Sequence, residues 1–134
     1  TLIDDYAHHP TEVAATVEVG RDLAQGSLWA VFQPHLYSRT ARFHDEFGAA
    51  LSEADEVVIT DVYGSREEPV PGVTGAMVVE AVRRHGANAH YVPHRRDLAD
   101  FLAKRVAEGD LVLTMGAGDI TLVPTELAIR LAER

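Results

Sequence analysis

Short apolar runs alternate along this chain with longer stretches whose apolar positions recur every three or four residues. Leu28 to Phe32, Val57 to Val62 and Leu111 to Met115 are nearly continuous apolar segments, the pattern of parallel strands covered on both faces. Leu2-Ile3 and Ala89 to Val92 are shorter strand candidates. Between them, Phe43, Phe47, Ala50 and Leu51 fall at i, i+4, i+7 and i+8, and Leu98, Phe101, Leu102 and Val106 at i, i+3, i+4 and i+8. Each set forms one apolar helical stripe. Further helices are predicted over Pro10 to Ala24, Thr74 to His85 and Pro124 to Ala132. Gly26, Gly86 and Gly109 follow three of the helices, where a left-handed terminal residue favours glycine. Strict alternation of strand and helix with short connections implies right-handed crossovers. The expected fold is therefore α/β: a Rossmann-like three-layer sandwich, its sheet mostly parallel with helices on both faces, formed by residues 1–134 as one domain.

Composition narrows the partners. A chain of 134 residues, 46% of them hydrophobic, can bury about two-thirds of its unfolded surface and needs no staple. Its 12 Lys+Arg against 21 Asp+Glu give a formal net charge of -9, a field that repels nucleic acid and anionic lipid. The absence of cysteine excludes disulfides, thiolate zinc sites and a cysteine nucleophile, and fits a reducing cytoplasm. No segment approaches the roughly 18 apolar residues of a membrane helix. Thr1-Leu2-Ile3-Asp4-Asp5 enters a strand at once without an initiator methionine, as expected of a domain cut from a longer chain.

Sheets of this kind bind ligands at the carboxyl ends of their strands, so the residues after each strand are the candidates. They are Asp4-Asp5-Tyr6-Ala7-His8-His9, Gln33-Pro34-His35-Leu36-Tyr37-Ser38-Arg39, Asp61-Val62-Tyr63, His94-Arg95-Arg96 and Gly116-Ala117-Gly118-Asp119. Arg39, beside a histidine, a tyrosine and a serine, can grip a carboxylate bidentately or form a plain surface salt bridge. Asp4 and Asp5 fit an acid and base pair or ordinary capping groups. The glycine turn departs from the dinucleotide fingerprint because Thr121 stands where the third glycine belongs, and it reads as a tight turn. No phosphate-binding Gly-x-x-x-x-Gly-Lys-Ser/Thr segment occurs. The adjacent His8-His9 lacks the i, i+4 spacing of a helical metal pair, no obvious carboxylate completes a site, and no metal is expected. His44, His85 and His90 read as surface or helix-end residues, and His94-Arg95-Arg96 as a surface cluster at a helix start.

Asp4-Asp5-Tyr6-Ala7-His8-His9-Pro10-Thr11-Glu12, Phe32-Gln33-Pro34-His35-Leu36-Tyr37-Ser38-Arg39-Thr40, Asp61-Val62-Tyr63 and Gly116-Ala117-Gly118-Asp119-Ile120 resemble the C-terminal domain of the Mur ligases, in the branch that adds L-alanine to UDP-N-acetylmuramate. The resemblance covers essentially the whole chain. It implies a three-domain enzyme of peptidoglycan synthesis in which an N-terminal domain holds the UDP-sugar, a central domain carries the ATP loop and most of the Mg2+ site, and this domain closes over both. The implied reaction runs through an acyl phosphate attacked by the L-alanine amine. By position, Tyr6, His8, His35 and Arg39 match residues placed around L-alanine, and Asp4 or Asp5 the acidic residue that touches the nucleotide. Leu36 departs from the arginine common after the histidine, and Ala7 stands where glycine is common, a change expected to be neutral at negative φ. Without the resemblance, the residues support a Rossmann-like binding module with an anion site at its rim.

Overall fold

The computed structural model describes all 134 residues. Five strands, β1 (Leu2–Asp5), β2 (Leu28–Phe32), β3 (Glu56–Ile59), β4 (Asn88–Tyr91) and β5 (Leu111–Met115), form one all-parallel sheet in the order β1-β5-β2-β3-β4. The helices are α1 (Pro10–Leu23), α2 (Tyr37–Leu51), α3 (Ala76–Arg84), α4 (Leu98–Ala103) and α5 (Val123–Ala132); 3-10 turns over Arg95–Asp97 and Asp119–Leu122 precede the last two.

The topology follows from handedness. The chain steps in one direction from β1 to β2, β3 and β4, so right-handed crossovers place α1, α2 and α3 on one face; the return from β4 to β5 reverses direction and places α4 on the other. Two cores result from the alternation of strand side chains. Leu28, Ala30 and Phe32 of β2 join Leu111, Leu113 and Met115 of β5 against Val13, Phe47 and Val78 of the first helical layer. Trp29, Val31, Val58 and Val112 pack against Leu98, Leu102, Val123 and Leu127 of the second. Beyond β2 and β5 the chain leaves to opposite faces, which opens a crevice at the adjacent strand ends.

Several predicted boundaries move. Helix α2 begins six residues before its apolar stripe, at Tyr37, where Tyr37 and Ser38 meet Gly64 and Glu67 of the loop after β3. Strand β3 stops at Ile59, short of Val62, as the Asp61 carboxylate turns the chain by accepting the Val62 and Gly75 N–H groups at 2.8 and 3.0 Å. Helix α4 ends at Ala103 instead of reaching Val106. Gly86 and Gly109 have the expected positive φ of 90° and 92°, although Gly109 turns the chain into β5 well after α4 has ended. Gly26 does not; a Cβ there would lie 2.7 Å from Asp110 Oδ1, so close approach requires this glycine.

A rim site of histidines, tyrosines and one arginine

Three loops converge at the strand ends. After β1, Asp5 Oδ1 accepts the Ala7 N–H at 2.8 Å, and Ala7 is buried at a negative φ, so a methyl group is tolerated there. This turn brings His8 back onto its own backbone, where Nδ1 pairs with the Tyr6 carbonyl at 2.9 Å. A carbonyl only accepts, so Nδ1 carries the proton and Nε2 is left free. Asp4 and Asp5 alternate to opposite faces of the sheet, and Asp4 Oδ1 accepts the Thr114 hydroxyl at 2.7 Å on the side away from Asp5's turn. The two aspartates therefore serve different local contacts, Asp5 within its own turn and Asp4 against β5.

Glu12 is the carboxylate that the sequence reading found lacking beside His8 and His9: ligand atoms of the three lie within 4.8 Å. Its Oε1 accepts the N–H groups of His8 and His9 at 3.3 and 3.1 Å, the reciprocal half of a helix-capping box, and those two bonds hold its carboxyl below the usual range. The Glu12 carboxylate is thereby engaged in capping α1, while the His8 ring is turned to the Tyr6 carbonyl and His35.

After β2 the chain passes through Leu36, a non-glycine residue at φ 71° and ψ 135°. Such backbone costs on the order of 1–3 kcal/mol and persists only where its surroundings over-determine it. Here they do. Leu36 N–H donates to the Tyr63 carbonyl at 2.9 Å, Tyr63 N–H to the Pro34 carbonyl at 2.8 Å, and the Leu36 carbonyl accepts both N–H and hydroxyl of Thr40 at 3.1 and 2.8 Å. The bend leads directly into α2, so Arg39 sits in a helical first turn, four residues beyond His35, and not in an open loop. His35 Nδ1 and Arg39 Nη1 are both buried with no hydrogen-bond partner. Burial depresses the His35 pKa below its ordinary value; the Arg39 and His8 charges act in the same direction and Glu67 opposes them. The His8 ring lies edge-on to His35 at 5.9 Å, with Tyr6, 67% exposed, edge-on to His8 at 5.2 Å. All four residues expected around an amino acid thus meet in one cluster: Tyr6, His8, His35 and Arg39.

Three further residues complete the site: Gln33 and Tyr63, which stand among the strand-end candidates without an individual role, and Glu67, which stands outside them. Tyr63, from the loop after β3, stacks on His35 at 5.9 Å and 20°. Gln33, 3% exposed, donates to Asp119 Oδ1 at 2.7 Å and accepts the Ile120 N–H at 3.3 Å, tying the glycine turn after β5 to the end of β2. A buried amide closing an all-apolar strand was the available clue. Glu67 is the third, and its contacts lie 29 residues away in sequence, where no local pattern could reveal them. Within the glycine turn, Gly116 has φ 152°, while Gly118 is required by close approach, since a Cβ would lie 2.6 Å from the Tyr63 ring. Arg95 is no surface residue: its side chain is 18% exposed and bridges Asp119 at 3.3 Å and Glu126 at 2.9 Å. A groove of about 810 Å³ between α1 and α2 contains none of these side chains.

Residues 1–118 match the family model described as Mur ligase, glutamate ligase domain. The chain belongs to the Mur ligase family. It is 53% identical over 125 residues to a UDP-N-acetylmuramate--L-alanine ligase of Cutibacterium acnes, covering 92% of this chain and 26% of that protein. It is 52% identical over 134 residues to the protein of the same name in Kineococcus radiotolerans, covering 99% of this chain and 28% of the relative. Among solved structures, the Thermotoga maritima UDP-N-acetylmuramate-alanine ligase superposes with a TM-score of 0.78 at 29% identity, over 98% of this chain and 26% of that one. The Mur ligase domain described here therefore spans about a quarter of the length of these relatives. None of its helices is long and apolar enough to cross a membrane.

Proposed function

We propose that this chain is the amino-acid-binding and lid domain of an ATP-dependent ligase that joins L-alanine to UDP-N-acetylmuramate in peptidoglycan biosynthesis, acting in the cytoplasm with the N-terminal and central domains of a longer chain. The observation that carries this reading is the pair of buried, unpartnered groups, His35 Nδ1 and Arg39 Nη1, at the crevice beside the strand ends. A buried guanidinium nitrogen without a partner is costly, and a ligand carboxylate offsets that cost. The names of the relatives supply the amino acid.

In the proposed reaction the γ-phosphoryl group of ATP passes to the muramate carboxylate, the L-alanine amine attacks the acyl phosphate, and phosphate leaves. Arg39 and His35 hold the alanine carboxylate. His8 presents the lone pair of Nε2 to an amine hydrogen, and Tyr6, the most exposed of the four, faces the closing domains. Closure keeps water from the acyl phosphate and aligns the amine with it. Asp4 and Asp5 lie where the chain enters the domain and are assigned to the nucleotide side. Mg2+ takes hard oxygen ligands, whereas the one three-residue cluster here offers two imidazoles and a carboxylate already engaged in capping. ATP and Mg2+ are accordingly assigned to the central domain, and the isolated chain is expected to be inactive.

The test is amino-acid-dependent ADP release by the full-length ligase with ATP, Mg2+ and UDP-N-acetylmuramate, comparing L-alanine with glycine, L-serine and L-aspartate. Stimulation chiefly by L-alanine supports the reading. Arg39→Ala removes charge-assisted bonds of roughly 1.5–3 kcal/mol and is expected to raise the KM for alanine about ten- to hundred-fold. An unchanged KM, or stimulation by no amino acid, overturns it.

A further inference from the structure

We propose that Glu67 is a positioning residue for the amino-acid carboxylate, holding His35 and Arg39 in place by clamping the first turn of α2 from the loop after β3. The inference rests on the reading of His35 and Arg39 as the carboxylate-binding pair.

The clamp is built from two contacts. Both oxygens of the Glu67 carboxylate engage Ser38: Oε1 accepts its N–H at 3.1 Å and Oε2 its hydroxyl. These bonds hold the Glu67 carboxyl below the usual carboxylate range, with further help from the Tyr37 N–H and the Arg39 charge. A carboxylate at the N-terminus of a 15-residue helix also faces the positive end of its dipole. One residue earlier, the Tyr37 ring lies so close to Gly64 that a Cβ there would be 2.6 Å from it. The loop reaches this position through a tight turn, Glu67 N–H donating to the Gly64 carbonyl at 2.9 Å, with Ser65 at φ 57°. The loop thus grips Tyr37 and Ser38, between the bend at Leu36 and Arg39. That bend puts His35 and Arg39 together with their buried nitrogens unpaired, and a strained bend relaxes when one of its supports is removed.

Glu67 also sets the local charge. The groups facing His35 are Arg39 from α2, His8 from the loop after β1, and Tyr63 and Glu67 from the loop after β3. Among these, Arg39 and His8 disfavour a protonated His35, and Glu67 favours it.

Two variants of the full-length ligase separate the roles. Glu67→Ala removes the clamp and is expected to raise the KM for L-alanine about tenfold, leaving the KM values for ATP and UDP-N-acetylmuramate unchanged. Glu67→Gln keeps an acceptor for Ser38 but loses the charge; in histidine-labelled enzyme the His35 resonance is expected to titrate at lower pH than in wild type, and Glu67→Asp to restore it. An unchanged alanine KM in Glu67→Ala overturns the proposal, as does an equal rise in all three KM values with a fall in melting temperature, which marks simple loop unfolding. Arg39→Ala is measured alongside. If it raises the alanine KM while Glu67→Ala does not, only the clamp fails; if neither does, the carboxylate reading itself has failed.

Discussion

His35 and Tyr63 lie ring over ring, 5.9 Å apart and 20° from parallel, although 28 positions separate them in sequence. Main-chain bonds on either side, Leu36 N–H to the Tyr63 carbonyl and Tyr63 N–H to the Pro34 carbonyl, extend the pairing of β2 with β3 past the ends of both strands. Gly118 approaches the Tyr63 ring so closely that a Cβ there would lie 2.6 Å from it. Three strand-end loops therefore share one tyrosine, and their geometry is coupled through it.

That coupling can be measured. Gly118→Ala places a methyl group against the Tyr63 ring and the Gln33 amide, and such overpacking costs about 1–3 kcal/mol. Tyr63→Ala loses its aromatic stacking, about 0.5–1.5 kcal/mol beyond the area it buries. In a double-mutant cycle by chemical denaturation, Gly118→Ala is expected to cost less in the Tyr63→Ala background. Strict additivity would show that the two residues are not in contact.

Gly48 sits inside α2, where helix propensity alone favours alanine by about 1 kcal/mol. Packing opposes this, because an added Cβ would lie 2.5 Å from the Ala81 Cβ and 2.6 Å from the Ala81 backbone on α3. Backbone cannot rotate away, so Gly48→Ala is expected to lower stability by about 1–3 kcal/mol. A raised melting temperature would refute the close approach of α2 and α3.

Acid should weaken the fold in two steps. The His35 pKa is lowered on folding, chiefly by burial, so the unfolded chain binds more protons near the ordinary histidine value of 6.5. Stability is therefore complete above that value and declines as pH falls below it. Unfolding midpoints at pH 7, 6 and 5 are expected to fall less steeply in His35→Gln than in wild type. Identical slopes would exclude His35 as the titrating group.

The second step belongs to carboxylates, Asp110 foremost. Burial disfavours its charge, but the N–H groups of Ala107 and Ser27, at 2.9 Å each, and the Trp29 indole at 3.1 Å outweigh burial and lower its pKa below 3.8. A group with a lowered folded pKa contributes stability that is present above its unfolded value and lost as pH falls through the folded one. Asp110→Ala leaves three donors unpaired and is expected to cost about 2–4 kcal/mol at pH 7, with a flatter stability curve below pH 4. A loss under about 0.5 kcal/mol, the norm for surface substitutions, would show the network to be dispensable.

Arg39→Lys retains the charge but not the planar fork. If a carboxylate is bound bidentately, lysine restores only part of the alanine KM, leaving it roughly tenfold above wild type. Full recovery would mean that a point charge suffices and that the buried Nη1 is not a ligand group.

The apolar runs of β2, β3 and β5 and the stripes of α2 and α4 were legible because periodicity is local: a strand alternates every two residues and a helix repeats every 3.6, whatever the rest of the chain does. The same holds for the strand-end candidates, since once the strands are known their carboxyl ends are known. Tyr6, His8, His35 and Arg39 all lie in those strand-end segments, but it was the resemblance to the Mur ligases that singled them out from the other candidates. Tertiary structure decided what binds them into a site. Leu36 adopts a left-handed bend that its side chain disfavours, because Tyr63 and Thr40 hold both of its backbone groups. Gly118 is needed for the room it leaves Tyr63, and Gly26 for the room it leaves Asp110, which no propensity encodes. Asp4 and Asp5, neighbours in sequence, are sent to opposite faces by the pleat of β1. Glu67 meets Ser38 across 29 residues only because β2 and β3 are adjacent in the sheet. Local pattern states which elements form; contacts between distant segments, and the unpaired groups they leave at Arg39 and His35, exist only once those elements have packed.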